Sequence, residues 1–193
     1  MITLILGSAS PRRREILSLF KLPFTIISPP FDEEAHPYNG DPALYVSELS
    51  QGKSWAIPST DPNTFVLTAD TIVYRDGQLY EKPADREDAR RMLLELCGKW
   101  HTVYTGVSLR KGNDIETIVD TTEVEFDTLN AVELENYLDK AHWQDKSGAY
   151  SIQDGGALLI KQIHGCYYNV KGLPLGALKR VFLKFGIDLW DYL

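Results

Sequence analysis

Cysteine is scarce in this chain: two residues among 193, Cys97 and Cys166, far apart and without metal-ligand spacing. That excludes a disulfide scaffold or a zinc module and predicts buried free thiols in a reducing cytosol. Positive charge is not in excess. Twenty Lys and Arg against 27 Asp and Glu leave a net charge of −7, the wrong sign for a general nucleic-acid binder. No apolar run approaches the length of a membrane span. The arginines follow the short N-terminal apolar run (Ile2, Leu4, Ile5, Leu6) instead of preceding it, so no signal peptide is read there. The four histidines, His36, His101, His142 and His164, share no ligand spacing. Repeats, low-complexity tracts and an interdomain linker are lacking too. What remains is a single cytoplasmic domain over residues 1–193, with neither nucleic acid nor membrane as partner, in which basic side chains matter where they cluster.

They cluster first in Leu6-Gly-Ser-Ala-Ser-Pro-Arg-Arg-Arg14. An apolar run before it and an amphipathic one after it (Ile16, Leu17, Leu19, Phe20) read as strand, hydroxyl-rich turn and helix. Ser10 suits an N-cap and Pro11 the first helical position. Arg12, Arg13 and Arg14 oppose the helix dipole unless an anion arrives, so the turn reads as a phosphate cradle or, alternatively, as a solvated basic turn. With Gly7 its one glycine, it is neither a P-loop nor a dinucleotide fingerprint.

Strands are predicted at Thr3–Gly7, Phe24–Ser28, Phe65–Ala69, Thr71–Tyr74, Gln78–Tyr80, Thr102–Arg110, Ile115–Phe126 and Leu158–Ile163, with hairpins at Asp76-Gly77 and Lys111–Asp114. Helices are signalled by Asp41-Pro42 running towards Ile57 and by Asp85 before Arg86–Leu96, which Gly98 stops. Asn130 with Glu133 opens Ala131–Leu138, and Pro174 opens Leu175–Phe185. The fold class is α/β, a long twisted mixed sheet with flanking helices and a central cleft between two lobes.

Asp70 interrupts an apolar strand-like stretch, Thr68-Ala-Asp-Thr-Ile-Val73. A charge there is costly unless paired or metal-bound. Two readings follow: a bulge or turn where Asp70 caps backbone amides, or a metal-binding carboxylate and general base at a strand end. Lys82, before Pro83, sits at a strand rim where an ammonium can meet an anion. Lys53, by itself, reads as part of a solvated helix face. The acidic run Asp32-Glu33-Glu34 is either solvated or supplies a second carboxylate for a divalent ion. In Asp145–Gly156, rich in Gly and Ser, Gln153 offers an amide that both donates and accepts. The segment Gly165–Pro174 reads as a second loop of this kind.

Taken together these segments resemble the Maf family, septum-formation proteins and nucleoside triphosphate pyrophosphatases. The match runs in order through Ser8–Arg13, Ala69–Val73, Glu81-Lys-Pro83, Gly98…His101…Thr105-Gly106, Asp145–Gln153 and Gly165…Asn169–Pro174. The resemblance implies a sheet and cleft akin to inosine-triphosphate pyrophosphatases and hydrolysis of a nucleoside triphosphate to monophosphate and pyrophosphate. A divalent cation (Mg2+, Mn2+ or Co2+) would assist, and a homodimer is a candidate assembly. On this reading Ser8, Ser10, Arg12, Arg13, Lys53 and Lys82 take the phosphates, while Asp70 with Glu33 holds the metal and Asp70 takes a proton from water. Arg12, Thr71 and Gln153 match the dTTP/UTP branch; the 7-methyl-GTP branch has Trp, Gln and Glu there. Three positions depart from the family's habit: Gly7 and Ser147 where Ala is common, and Lys171 where an apolar residue is typical. A non-catalytic nucleotide-binding regulator of cell division is the competing reading.

Overall fold

The computed structural model describes residues 2–58 and 61–193. Its strands are β1 (Thr3–Gly7), β2 (Phe24–Ile26), β3 (Thr64–Arg75), β4 (Gln78–Tyr80), β5 (Trp100–Lys111), β6 (Asp114–Phe126) and β7 (Ile160–His164). Its helices are α1 (Pro11–Leu17), α2 (Pro42–Ala56), α3 (Arg86–Leu96), α4 (Ala131–Lys140), α5 (Tyr167–Lys171) and α6 (Leu175–Lys184). The seven strands form one mixed sheet in the order β2-β1-β3-β5-β6-β7, with β4 also paired to β3. The α/β class with a mixed sheet is thus as expected. β1 lies parallel to both β2 and β3, with Leu4 opposite Phe24 on one side and Phe65 on the other. Parallel strands need covered faces, and Leu4 and Leu6 are accordingly buried.

The chain condenses into two compact units, each discontinuous in sequence. One comprises Met1–Asp70, Thr105–Asp120 and Gly172–Leu193; the other comprises Thr71–Tyr104 and Thr121–Lys171. Leu6, Val46, Leu49, Leu67, Val107 and Phe182 are among the core residues of the first. The core of the second includes Leu93, Leu96, Val124, Phe126, Leu134 and Tyr150.

The expected start signals hold. The Asp41 side chain accepts from the amides of Ala43 (2.9 Å) and Leu44 (3.1 Å), Asp85 from Asp88 (2.9 Å), and Asn130 and Glu133 close a reciprocal capping box. Asp76 and Gly77, both at positive φ, turn β3 into β4. Five expectations need correcting. Ser10 stands at the N-cap of α1, but its hydroxyl makes no capping bond. The two strands predicted around Asp70 are one continuous β3, so Asp70 lies neither in a turn nor at a strand end. Residues Asp154–Leu159 form a 3₁₀ turn before β7, and α5 folds where a loop was read. The thiols are half-buried, with Cys97 Sγ accepting from the Leu129 amide at 3.0 Å.

Within the first unit, α2 packs so closely on β5 that a Cβ at Gly106 would lie 2.3 Å from the carbonyl oxygen of Val46. That obstacle is helix backbone and cannot rotate away. Gly106→Ala is therefore expected to destabilise the protein by about 1–3 kcal/mol, the usual range for overpacking, measured by urea denaturation.

Candidate active site

Where β1 ends, the chain tightens. Ser8 is buried, and its Oγ accepts from the Ser10 amide (3.2 Å) and from Arg13 Nη1 (3.4 Å). The hydroxyl that organises this turn is that of Ser8. Arg13 Nε donates to the carbonyl of Gly172 at 2.8 Å, fixing the guanidinium in place. Burial lowers the Arg13 pKa, Asp70 opposes that shift, Arg12 adds to it, and Glu33 opposes it again. The guanidinium remains charged. Arg13 thus lies within electrostatic reach of Arg12 and of two carboxylates.

Those carboxylates meet at Lys53. Its ammonium pairs with Asp70 Oδ1 and, at 3.0 Å, with Glu33 Oε1. Lys53 is 8% exposed and Asp70 5%, while the Glu33 side chain is about half exposed. The solvated helix face expected for Lys53 is corrected: Val46, Leu49, Ser50, Lys53 and Ser54 form the buried stripe of α2. Spacing of three and four residues was the sequence signal for it. Lys53 occupies the last turn of α2, where the helix dipole favours a cation. Buried Arg110, which the sequence reading missed, holds that end by donating to the carbonyls of Ser54 (2.9 Å) and Ile57 (2.8 Å) and to Ser54 Oγ (3.2 Å). Phe31, two residues before Glu33, lays its ring where a Cβ of Gly52 would be, 2.4 Å from the nearest ring carbon. Glycine inside a helix costs about 1 kcal/mol relative to alanine, so a packing reason of this kind is needed.

The remaining predicted residues belong to the second unit. Thr71 follows Asp70 directly in β3, and its carbonyl accepts from Ser147 Oγ at 3.1 Å. The hydroxyl that an alanine at position 147 would lack is therefore used. Lys82 is exposed just beyond β4 and makes no ion pair among the described residues. Gln153 is half-buried; its amide N–H donates to Ser151 Oγ at 3.1 Å and its side-chain amide has no protein partner among the described residues. Lys171 is buried at the end of α5. His101, buried on β5, bonds Tyr150 OH through Nε2 at 2.8 Å, a contact to which motif spacing gave no role.

No three His, Cys, Asp or Glu side chains among the described residues are grouped to hold a metal ion. The donor set present is two carboxylates, Asp70 and Glu33, already gathered around one cation. That fits a magnesium-like ion, which takes one or two carboxylates and completes its shell with water and phosphate oxygens. Two carboxylates, an ammonium and two guanidinium groups beside a helix start form a site suited to a polyanion travelling with a divalent cation.

A family model described as Maf-like protein matches residues 3–185. The chain is 46% identical over 191 residues to a Chlamydia caviae protein named dTTP/UTP pyrophosphatase, covering 98% of this chain and 97% of that one. Identity to a Chlamydia felis protein of the same name is 44% over the same shares. A Chlamydia pneumoniae protein named nucleoside triphosphate pyrophosphatase is 39% identical over 193 residues, 99% of this chain and 98% of that one. The chain belongs to the Maf family.

Burial, and to a lesser degree the charge of Arg75, lowers the His101 pKa to about 3. Between that value and the unfolded value near 6.5, the unfolded chain binds a proton that the native protein refuses. Stability therefore rises with pH through this window and is lost as pH falls. About 2 kcal/mol of it should be gone by pH 5, at about 1.4 kcal/mol per unit. Urea denaturation at pH 5 and 7 should show this difference shrinking in His101→Phe.

Proposed function

We propose that this protein hydrolyses dTTP and UTP, with 5-methyl-UTP and similar modified pyrimidine nucleotides, to the monophosphate and pyrophosphate. The reading has one catalytic domain spanning the chain, acting in the cytoplasm to clear unwanted nucleotides. The observation that carries it is the Lys53 ammonium held between Asp70 and Glu33. A protein that only binds a nucleotide needs the cations; it gains nothing from two carboxylates converging on one of them. A regulator linked to septation is therefore the less favoured reading.

Ser8, Ser10, Arg12 and Arg13 bind the phosphates, and Lys53 and Lys82 neutralise them further. The Lys53 ammonium passes from the carboxylates to the incoming phosphates, which frees Asp70. Asp70 and Glu33 are the residues that would hold a divalent cation, Mg2+, Mn2+ or Co2+, which would supply screening of phosphate charge and acidification of water. Asp70 takes a proton from the water that attacks the α-phosphorus. The bond from that phosphorus to the bridging oxygen breaks, and pyrophosphate leaves. Charge neutralisation and positioning do most of the work. Gln153 matches N3–H and O4 of uracil or thymine in one orientation of its amide and cytosine in the other, so rejection of CTP is partial. Thr71 lines the base site, which takes pyrimidines over ATP, GTP and 7-methyl-GTP.

Purified protein with UTP or dTTP and Mg2+ or Mn2+ should release pyrophosphate; nucleotide binding without release would favour the regulator. Asp70→Asn should lower turnover at least about a hundredfold, the scale of a lost general base, while nucleotide binding by calorimetry survives better. Gln153→Glu should penalise UTP and dTTP, since a carboxylate cannot donate to O4, and an unchanged base ranking would contradict the assignment. Gly52→Ala should leave the melting temperature nearly unchanged yet reduce turnover, because it displaces Phe31 and with it Glu33.

A further inference from the structure

Four consecutive residues upstream of Gln153 are tied to four different parts of the second unit. Ser147 Oγ donates to the Thr71 carbonyl on β3 (3.1 Å), and the Gly148 amide donates to the Glu81 carbonyl beyond β4 (3.1 Å). The Ala149 carbonyl accepts from Tyr137 OH on α4 (3.0 Å), and Tyr150 OH bonds His101 Nε2 on β5 (2.8 Å). The backbone they hold is unusual. Ala149 (φ 59°) and Asp154 (φ 53°) are left-handed without being glycine, and a Cβ at Gly156 would lie 1.9 Å from the Ser151 carbonyl oxygen. Such conformations cost about 1–3 kcal/mol each and persist only where the surroundings over-determine them.

Of the four ties, only the one from His101 joins two side chains, and both are buried at 3% and 5% exposure. Phe126 packs edge-to-face against both rings, at 4.8 and 4.7 Å. Among the described residues, His101 Nδ1 has no hydrogen-bond partner. A phenylalanine would keep the ring packing and remove that unpaired nitrogen, whose burial is costly. What the imidazole adds is a directed bond to Tyr150, three residues before Gln153.

We propose that His101 is a positioning residue for base recognition: through Tyr150 it fixes the 147–153 segment that presents the Gln153 amide. This rests on the reading of Gln153 as the base-reading side chain. His101 then acts on the choice of base and leaves phosphate handling by Arg13, Lys53 and Asp70 untouched.

The test is steady-state kinetics of the full chain with dTTP, UTP and CTP for His101→Phe, Tyr150→Phe, the double variant and His101→Gln, with Gln153→Glu as reference. Each single variant should raise KM for dTTP and UTP about fivefold, the equivalent of one neutral hydrogen bond, and narrow their advantage over CTP. The kcat should stay within about twofold, as for an interaction shared by ground and transition states. The double variant should be no worse than either single one, because both remove one bond. His101→Gln, which can still reach the phenol, should restore the preference. If His101→Phe fails to fold, Tyr150→Phe, which removes one oxygen, carries the same test. Equal losses for all three nucleotides would reduce His101 to structural support and overturn the proposal. So would an unchanged preference in the His101 and Tyr150 variants while Gln153→Glu shifts it, a result that leaves the Gln153 reading standing. An unchanged preference in Gln153→Glu itself would overturn both.

Discussion

A carboxylate in the middle of a buried strand needs a cation, and much of the first unit is organised to supply one. Asp70 takes the Lys53 ammonium, and the last turn of α2 must therefore sit against β3. Desolvating two charges is expensive, and breaking such a pair by removing one member typically costs about 3–5 kcal/mol. The supports of α2 follow from that need. Asp41 caps its start, Arg110 ties its end with bonds to neutral oxygens, and Gly106 lets its backbone approach β5. Gly52 admits the Phe31 ring, two residues before the second carboxylate. A candidate site and a packing solution are here the same set of contacts.

The second unit solves a different problem, that of holding a short irregular segment still. Burial raises the pKa of the Tyr137 and Tyr150 phenols, so both stay protonated, and His101 stays neutral. A segment fixed by uncharged hydrogen bonds does not change shape near neutral pH.

Local signals in the sequence were easy to read because they act over a few residues. Asp41, Asp85 and Asn130 bond amides two or three positions on, and Asp76-Gly77 needs only its own backbone. What escaped reading depends on residues distant in sequence. Lys53 is buried because a carboxylate seventeen positions away faces it. Ser10 lost its capping role because the Ser8 hydroxyl organises the turn. α5 was hidden in a stretch of turn-forming residues, and His101 means little until Tyr150, forty-nine positions on, is folded against it. The order of motifs did identify the family and the residues of the Asp70 cluster; their mutual pairing became visible only in three dimensions.

The discontinuity of the first unit has a consequence for how the protein comes into being during synthesis. Gly172, whose carbonyl anchors Arg13, and α6, which supplies Phe182 to the core, are made long after β1 and α1 have left the ribosome. The Ser8–Arg13 turn therefore waits, exposed and without its anchor, while more than half of the chain is still to be translated. A nascent chain thus lacks the partner of Arg13 until the final stage of synthesis.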